Sequence, residues 1–380
     1  MTLRLTVIGT GYLGAVHAAC LADLGFEVLG VDTDAEKVAA LSRDEAPFYE
    51  PGLDDLLTRA LATGRLRFTT SFTEAGAFGD VHFVCVGTPQ KPGSDAVDMR
   101  HVDDAVDSLA AAISRPCLVV GKSTVPVGTA QAIARRLAVT APEAELAWNP
   151  EFLREGFAVA DTLRPDRLVV GVTSTEAEKT LREVYAAQIA AGVPFVVTDF
   201  ATAELVKVAA NAFLATKISF INAMSEICDV TGADVTQLAE AIGYDERIGS
   251  KFLRAGLGFG GGCLPKDIRG FMARAGELGV GQSVAFLREV DELNLRRRAH
   301  VVDLTQDLLG GTLQGARVAC LGAAFKPDSD DVRDSPALVV ASVDVAPGCG
   351  GNTTSVAAAA AAAAAAAILP APLTPLDARW

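Results

Sequence analysis

The sequence has no CxxC pair, few histidines and no cluster of the two residue types, so nothing in it indicates a metal site. Its seven cysteines are odd in number and irregular in spacing, which argues against a disulfide framework. They are Cys20, Cys85, Cys117, Cys228, Cys263, Cys320 and Cys349. Thiols that remain reduced are typical of the cytoplasm, which is therefore the expected location.

The sequence also lacks an excess of positive charge and any long apolar run. Its 33 Lys and Arg residues face 47 Asp and Glu, and the formal net charge of −14 disfavours nonspecific binding to nucleic acid or an anionic membrane. No uninterrupted apolar stretch approaches the roughly 20 residues of a membrane helix, and the chain begins without the basic segment of a secretory signal. We expect a soluble, unprocessed protein that binds neither nucleic acid nor membrane.

The 380 residues are enough for two or three domains of roughly 150 residues each. Short apolar runs at 3–8, 26–31, 81–86, 118–120 and 168–172 alternate with helical segments. This alternation is typical of an α/β fold with a parallel, doubly wound sheet, here over about the first 200 residues.

A segment without proline or glycine follows at 202–231, and its dense apolar residues predict a long helix that is buried on most sides. Such a helix is suited to connect two domains and to form the core of a homodimer. Another helical stretch ends near residue 309, and the apolar run at 317–321 predicts the first strand of a further unit.

The sequence changes character after about residue 341. A Gly-rich segment leads into eleven consecutive alanines, 357–367, and then into a Pro-rich end. This tail lacks the alternating apolar residues that would extend a sheet, and we interpret it as a truncation, a shifted reading frame or placeholder alanines.

A glycine motif joins the first apolar run to a helical segment. It reads Gly9-x-Gly11-x-x-Gly14, and Asp32 closes the next predicted strand 18 residues later. In this context a pyrophosphate can approach the N–H groups of the helix start, and the acid can bind a ribose 2′-hydroxyl. The carboxylate would repel a 2′-phosphate, so the motif predicts NAD rather than NADP. The alternative is a glycine turn with a purely structural role.

A second glycine run ends at Cys263, and Pro265 behind it is suited to the first turn of a helix. The helix dipole and a neighbouring cation such as Lys266 would favour the thiolate of Cys263. Asp267 lies one helical turn further on. The alternative for Cys263 is a buried, inert thiol.

Two more pairs have the i,i+4 spacing that places side chains on one face of a helix. Lys207 and Asn211, on the predicted long helix, could stabilise an oxyanion, whereas the alternative is a solvated or interface lysine. Glu151 and Glu155 could divide general-base and positioning work, whereas the alternative is an exposed helix start.

Together these features resemble the UDP-glucose/GDP-mannose dehydrogenase family, from residue 2 to about residue 338. The resemblance rests on an ordered series of motifs: GTGYLG with VDTD, EPGL, VGTP, KSTVPVGT, NPEFLREG, RPDRLVVG, GFGGGCLPKD and AFKPDSDDVRDSPAL. It implies an NAD-binding Rossmann domain at 1–200, a central helical region for dimerisation and catalysis at 201–310, and a C-terminal Rossmann-like domain for the nucleotide sugar at 311–380. The last domain is expected to be incomplete after about residue 341.

The resemblance also implies a reaction. UDP-glucose would be the substrate, and its C6 hydroxymethyl group would be oxidised to the carboxylate of UDP-glucuronate while two NAD are reduced. The reaction would pass through a thiohemiacetal and a thioester on a cysteine. The catalytic residues implied are Cys263 as nucleophile, Asp267 as base with a bound water, Lys207 and Asn211 as oxyanion ligands, Thr124 for positioning, and Glu151 as the base of thioester hydrolysis.

Binding positions follow from the same motifs. The cofactor-binding residues implied are Gly9, Gly11, Tyr12, Leu13, Gly14, Asp32, Lys37, Thr88, Thr124, Glu155 and Arg333. The substrate-binding residues implied are Phe152, Leu153, Glu155, Lys207, Asn211, Arg247, Phe252, Gly260 and Lys326. Lys37 stands where relatives often carry arginine, and it lacks the planar fork of a guanidinium. Arg247 is expected to reach a partner subunit.

Three alternatives stay open at the level of the sequence. One is a member of the same family that acts on GDP-mannose or a UDP-N-acetylhexosamine. The others are a truncated NAD-binding protein with impaired catalysis and a single-step hydroxyacid dehydrogenase. If the chain ends as its tail suggests, we expect it to bind NAD but to bind the UDP-sugar poorly.

Overall fold

The structure is a computed structural model that describes residues 3–342. These residues form two compact units, the first from 3–216 and 266–289 and the second from 217–265 and 290–342. The alanine run and the rest of the tail, about which the sequence raised three interpretations, lie outside the described residues, as does Cys349.

The described strands all belong to the first unit. They are β1 (Arg4–Ile8), β2 (Glu27–Val31), β3 (Leu66–Thr69), β4 (Val81–Val84), β5 (Cys117–Gly121), β6 (Ala144–Trp148), β7 (Leu168–Gly171) and β8 (Phe195–Thr198). The helices between them are α1 (Tyr12–Asp23), α2 (Ala35–Leu41), α3 (Leu53–Ala62), α4 (Phe72–Phe78), α5 (Arg100–Ala110), α6 (Thr129–Thr140), α7 (Ala158–Leu163), α8 (Thr175–Val184) and α9 (Ala186–Ala190).

Helices dominate the remainder of the described chain. They are α10 (Phe200–Thr231), α11 (Val235–Gly243), α12 (Leu264–Glu277), a short 3₁₀ helix (Gly281–Val284), α13 (Phe286–Leu308) and α14 (Pro336–Ala341). Among residues 3–342, no helix combines the length and the apolar content that a membrane crossing requires.

The strands form one sheet in the order β3-β2-β1-β4-β5-β6-β7-β8. All neighbours from β3 to β6 are parallel. Parallel strands need crossover connections, and helices on both faces bury the central strands completely, as in β4. Leu5 and Val7 belong to the core on one face and Ile8 to the core on the other, because successive strand residues point to opposite faces.

The five strands predicted from the sequence are confirmed, within two residues at their ends. Strands β3, β6 and β8 were not predicted. Strand β3 alternates apolar and polar residues, and β6 carries a glutamate. Strand β8 has a short apolar run, but it lies at the edge of the sheet and is only partly buried.

The expectation of an entirely parallel sheet is wrong at one end. β7 pairs antiparallel with β6 through Trp148 and Gly171, and β8 is parallel to β7. An apolar run indicates that a strand is buried. The direction of that strand relative to its neighbour depends on the chain connection and on local hydrogen bonds. Here the side-chain amide of Asn149 donates to the carbonyl oxygen of Val169 at 2.8 Å and so ties β7 to the end of β6.

The predicted long helix is confirmed as α10, but the expectation that it is buried on most sides is wrong. Phe213, Phe220, Ile227 and Val230 are 65%, 49%, 52% and 83% exposed. Apolar composition shows that a helix can be buried, whereas the elements packed around it decide which faces are covered. The described chain leaves an apolar face of α10 in solvent.

The strand predicted at 317–321 is also wrong, because these residues have no regular secondary structure. Val318 is 63% exposed and Leu321 is 94% exposed. A strand needs a neighbour with which to exchange backbone hydrogen bonds. Among the described residues of the second unit, no other strand offers that pairing.

One buried amide fixes the glycine-rich segment of the second unit. The Asn294 side chain, fully buried on α13, accepts a hydrogen bond from the Phe259 N–H at 2.7 Å and donates one to the Phe259 carbonyl at 2.9 Å. Arg298 donates to the same carbonyl at 3.1 Å and pairs with Asp334 at 2.8 Å. These bonds hold the segment that leads to Cys263 against α13.

Substitution of Asn294 tests this anchor. We expect Asn294→Ala to lower the free energy of unfolding by about 1–3 kcal/mol, because the buried N–H of Phe259 loses its partner. Asp303→Ala, at an exposed position of the same helix, is the control and should change it by less than about 0.5 kcal/mol. Urea unfolding followed by circular dichroism measures both, and equal effects would contradict the anchoring role.

Candidate active site

The glycine motif forms the turn between β1 and α1, and its three glycines have different surroundings. Gly9 has a φ of +86°, and a Cβ there would lie 2.7 Å from Val86, which follows β4. A Cβ on Gly14 would lie 1.8 Å from the Gly9 carbonyl oxygen. A Cβ on Gly11 would meet nothing within 4 Å. Two of the glycines are therefore required by the packing of the protein itself, whereas Gly11 borders open space at the start of α1.

Asp32 closes β2 beside this turn, and its carboxylate is held in place. Oδ2 accepts hydrogen bonds from the Thr10 N–H at 2.8 Å, the Thr10 hydroxyl at 3.1 Å and the Lys37 ammonium at 3.0 Å. Burial raises the pKa of Asp32, but the N–H of Asp34, Lys37 and the N–H of Thr10 outweigh it, so the pKa lies below its usual range. The group is ionised at neutral pH, as recognition of a ribose hydroxyl rather than a phosphate requires.

The loops after β4 and β5 meet at the same edge of the sheet. The buried hydroxyl of Thr88 donates to the carbonyl oxygen of Thr124 at 2.8 Å. The strand order reverses direction between β1 and β4, and the crevice at such a reversal is where doubly wound sheets bind ligands. Thr88, Thr124 and the glycine turn all follow strands that border or neighbour this crevice.

Glu151 lies in a loop after β6, not on a helix, so the i,i+4 geometry expected for Glu151 and Glu155 is wrong. One Glu151 oxygen accepts from the N–H groups of Phe152 at 2.6 Å and Leu153 at 2.9 Å, and the other pairs with Lys122 at 3.1 Å. Burial raises the pKa of Glu151, but the Lys122 charge and these bonds outweigh it and lower the pKa. The alternative of an exposed helix start is also wrong, since Glu155 is buried.

Lys207 is half-buried on α10 in the first unit. Its ammonium lies 5.5 Å from the centre of the Phe152 ring, and its charge contributes to the lowered pKa of Glu151. The Arg167 guanidinium also lies over the Phe152 ring, at 3.8 Å from its centre. The structure thus brings Lys207, Phe152 and Glu151 together.

Glu50 of the EPGL motif, which the sequence did not predict as a site residue, connects the glycine turn to the loop after β6. Its buried carboxylate accepts hydrogen bonds from the Tyr12 hydroxyl and from the N–H groups of Gly156 and Ala158, the last two at 2.7 Å. Burial and the contact with Glu50 raise the pKa of Tyr12. The motif was visible in the sequence, but nothing in its composition indicates that a single carboxylate bridges two distant loops.

Asp267 and Asn211 also come together. Asp267, the fourth residue of α12, accepts a hydrogen bond from the Asn211 amide at 2.6 Å and pairs with Lys266 at 2.6 Å. The Lys266 ammonium lies 3.5 Å from the Thr88 hydroxyl. Asn211 and Asp267 are both buried, so the carboxylate has a fixed direction.

Cys263 belongs to the second unit and directly precedes α12. Its side chain is exposed, so the alternative of a buried, inert thiol is wrong. The position of Pro265 in the first turn of this helix is confirmed. A helix start favours a thiolate, which is the reactive form of cysteine.

The glycines before Cys263 are fixed by the 325–334 segment. A Cβ on Gly260 would lie 2.2 Å from the Asp334 carbonyl oxygen, and Gly261, at a φ of +82°, packs on the Phe325 ring. Gly262 lies against the Arg333 guanidinium, which pairs with Asp331 at 2.7 Å. The GFGGGCLPKD and AFKPDSDDVRDSPAL motifs are therefore in contact within the second unit.

The remaining predicted residues occupy separate places. In the second unit, Arg247 is exposed and pairs with Asp245 at 2.6 Å, and the Lys326 ammonium lies 5.6 Å from the Phe325 ring centre. Phe252 has a φ of +65°, which is unusual for an aromatic residue and is found most often at functional sites. In the first unit, Leu13 and Leu153 pack against the core.

A sheet in the order 3-2-1-4-5-6, with a glycine turn after its first strand and an acid after its second, defines a dinucleotide-binding protein of the Rossmann class. Two family descriptions match the chain, the NAD binding domain of the UDP-glucose/GDP-mannose dehydrogenase family over residues 3–189 and its central domain over residues 201–296. The chain belongs to this family, and the predicted NAD cofactor is confirmed by the match.

Similar proteins agree with this assignment. A UDP-glucose 6-dehydrogenase of Pseudomonas aeruginosa is 43% identical over 344 residues, or 89% of this chain and 75% of the relative. One from Bacillus subtilis is 42% identical over 89% of this chain and 76% of the relative. The solved structure of a UDP-glucose dehydrogenase from Pyrobaculum islandicum is 42% identical, with a TM-score of 0.85 over 90% of this chain and 79% of that one.

The different surroundings of the glycines generate a test with a built-in control. We expect Gly14→Ala to lower the melting temperature by more than about 5 °C, because its Cβ would collide with the Gly9 carbonyl. Gly11→Ala should melt like the wild type but bind NAD at least about tenfold more weakly, since its methyl group occupies the space that a pyrophosphate needs. Scanning fluorimetry without NAD and titration calorimetry with NAD measure the two effects. Similar behaviour of the two variants would refute the distinction.

Proposed function

We propose that this protein is an NAD-dependent UDP-glucose 6-dehydrogenase that oxidises UDP-glucose to UDP-glucuronate. The names of its relatives support the substrate. The observation that carries the proposal is the exposed Cys263 thiol at the start of α12, the helix whose first turn also contains Asp267. A thiol nucleophile distinguishes this chemistry from a single-step hydroxyacid oxidation.

The residues of the glycine turn fit a dinucleotide. Open space at Gly11 and a start of α1 that no side chain caps provide for the pyrophosphate, and the ionised Asp32 provides for the adenosine ribose. Further proposed contacts are Gly9, Gly14, Tyr12, Leu13, Lys37, Thr88, Thr124, Glu155 and Arg333. Bound NAD would supply the hydride acceptor for both oxidations. Every other step is assigned to side chains of this chain.

The first step is removal of the proton from the C6 hydroxyl of the sugar. Asp267 acts as the base through a bound water, and its bonds to Asn211 and Lys266 fix the direction of its carboxylate. An amide has two N–H donors, so Asn211 can bind Asp267 with one and the developing oxyanion with the other. Lys207 adds a positive charge for the same oxyanion.

Loss of a hydride from C6, together with this proton, leaves an aldehyde. In the second step the Cys263 sulfur attacks the aldehyde carbon and forms a thiohemiacetal, and loss of the second hydride and a proton from this adduct leaves a thioester on Cys263. A free aldehyde could hydrate or dissociate, whereas the covalent adduct keeps the carbon in place for the second oxidation. Water then attacks the thioester carbonyl carbon, Glu151 accepts a proton from that water, and the Cys263 thiolate leaves. Thr124 positions the water or the substrate.

Further residues of both units are proposed to contact the sugar nucleotide. Contacts to the sugar nucleotide are assigned to Phe152, Leu153, Glu155, Arg247, Phe252, Gly260 and Lys326, in addition to Lys207 and Asn211. We also propose that the chain is divided into an NAD-binding domain at 1–200, a central domain at 201–310 and a sugar-nucleotide domain at 311–380, and that the protein is cytoplasmic. A homodimer through α10 is supported by the exposed Phe213, Phe220, Ile227 and Val230, because apolar patches of this kind commonly mark an interface.

Stoichiometry tests the double oxidation. We expect the wild type to produce two NADH per UDP-glucose, and Cys263→Ala to release no UDP-glucuronate, because no thioester can form. Cys263→Ser keeps a weaker oxygen nucleophile and should lose most turnover, whereas Cys320→Ala changes another exposed cysteine and should retain activity. Absorbance at 340 nm and chromatography of the sugar nucleotide give both readouts.

Substrate choice needs a separate comparison in the same assay. UDP-glucose should give faster NADH formation than GDP-mannose and the UDP-N-acetylhexosamines. A preference for one of the latter would move the protein to another activity of its family. Complete double oxidation by Cys263→Ala would overturn the mechanism itself.

A further inference from the structure

A buried lysine at the end of β5 has no role in the chemistry described so far. Lys122 follows β5 directly, and its side chain is only 3% exposed. Burial of an ammonium is costly unless partners compensate its charge and its hydrogen bonds. The structure supplies both, since the ammonium lies 3.1 Å from the Glu151 carboxylate and donates to the Asn149 side-chain oxygen at 3.1 Å.

Asn149 is itself fixed by two more hydrogen bonds. The Tyr185 hydroxyl donates to its side-chain oxygen at 2.5 Å, and its amide donates to the Val169 carbonyl oxygen at 2.8 Å. The loop between β6 and α7, strand β7 and the segment after α8 thus share one buried polar network. Lys122 lies in this network with its charge directed toward Glu151.

Both carboxylate oxygens of Glu151 have partners in the structure. One faces Lys122, and the other accepts the N–H groups of Phe152 and Leu153. A carboxylate whose two oxygens are both held has a fixed plane, and so a fixed direction from which it can accept a proton. Removal of Lys122 would leave one of these oxygens without its partner.

The charges around Glu151 are few. Burial raises the pKa values of Cys20, Cys85 and Tyr185 to about 12 and keeps the pKa of His17 well below its ordinary range, so these groups are neutral at pH 7. Lys122 and, more weakly, Lys207 are the positive groups that lower the pKa of Glu151 against the effect of burial. Without Lys122, burial would raise that pKa.

We propose that Lys122 is a positioning residue that keeps the Glu151 carboxylate charged and correctly directed for deprotonation of the water that hydrolyses the thioester. The inference rests on the proposed function, in which Glu151 is that base. Lys122 contributes no proton to the reaction and keeps its charge throughout. The ion pair lowers the basicity of Glu151, but it favours the ionised form of the carboxylate.

The pH dependence of thioester hydrolysis distinguishes this role from a merely structural one. Enzyme is mixed with UDP-glucose and NAD between about pH 3.5 and pH 8, a range that contains the ordinary pKa of a glutamate. The reaction is quenched in acid, and the thioester on Cys263 is followed by intact-protein mass spectrometry. For Lys122→Met, which is similar in length but uncharged, we expect the acidic limb to move up by at least about one pH unit. Lys122→Arg keeps the positive charge but carries it on a planar guanidinium group. The acidic limb of this variant should therefore stay in place, while its rate of thioester hydrolysis falls. An unmoved limb in Lys122→Met would overturn the proposal.

A second comparison holds even if Lys122→Met does not fold. Glu151→Gln and the double variant Lys122→Met/Glu151→Gln should hydrolyse the thioester at rates within about twofold of each other, because Lys122 acts through Glu151. The double variant leaves neither member of the ion pair charged, which favours its folding. Tenfold slower hydrolysis in the double variant would show that Lys122 acts elsewhere and would overturn the inference.

The same data separate the inference from the proposed function. If Glu151→Gln hydrolyses the thioester at the wild-type rate, Glu151 is not the base, and the proposal for Lys122 is overturned with it. If no thioester forms on Cys263 in the wild type, the mechanism itself is wrong. If Glu151→Gln is slow and the Lys122 variants show no pH effect, only the inference fails.

Discussion

The direction of the strands is the constraint on which the candidate site depends. Parallel strands deliver the residues that follow them to one edge of the sheet. The residues delivered in this way are Gly9 after β1, Asp32 after β2, Thr88 after β4, Lys122 and Thr124 after β5, and Glu151 after β6. Residues that are more than one hundred positions apart therefore contribute to one edge, and they do so on short segments whose starting points are fixed by buried strands.

Charge balance is the second theme of the structure. The chain is strongly acidic, yet three carboxylates of the proposed site in the first unit have a lysine beside them. Lys37 pairs with Asp32, Lys122 with Glu151 and Lys266 with Asp267. For Asp32 and Glu151, the positive charge of the neighbouring lysine lowers the pKa of the carboxyl group. The net charge of the protein thus says little about the electrostatics at the edge of the sheet.

Much of the fold and of the site could be predicted because the signals are local. Alternating apolar runs identified five of the eight described strands, and the absence of Gly and Pro identified α10. Gly9, Gly11 and Gly14 had the spacing of a dinucleotide turn, and Asn211 and Asp267 were named separately before the structure placed them 2.6 Å apart. Direction and exposure were not predictable, as the antiparallel β7 and the exposed face of α10 show. Both depend on which distant segments pack against an element.

The sequence by itself determined the class of fold, the family and the cofactor, and it supplied the candidates for the reactive side chains, because strand periodicity and motif spacing are properties of short stretches of chain. Only the tertiary structure decided which of these side chains contact each other. It placed Glu151 in a loop with Lys122 as its partner, and it made Glu50 the link between Tyr12 and the 156–158 segment. The reason is physical: a buried carboxylate takes whatever donors the fold brings to it, and neither the distance nor the burial that governs this choice is written in the spacing of residues along the chain.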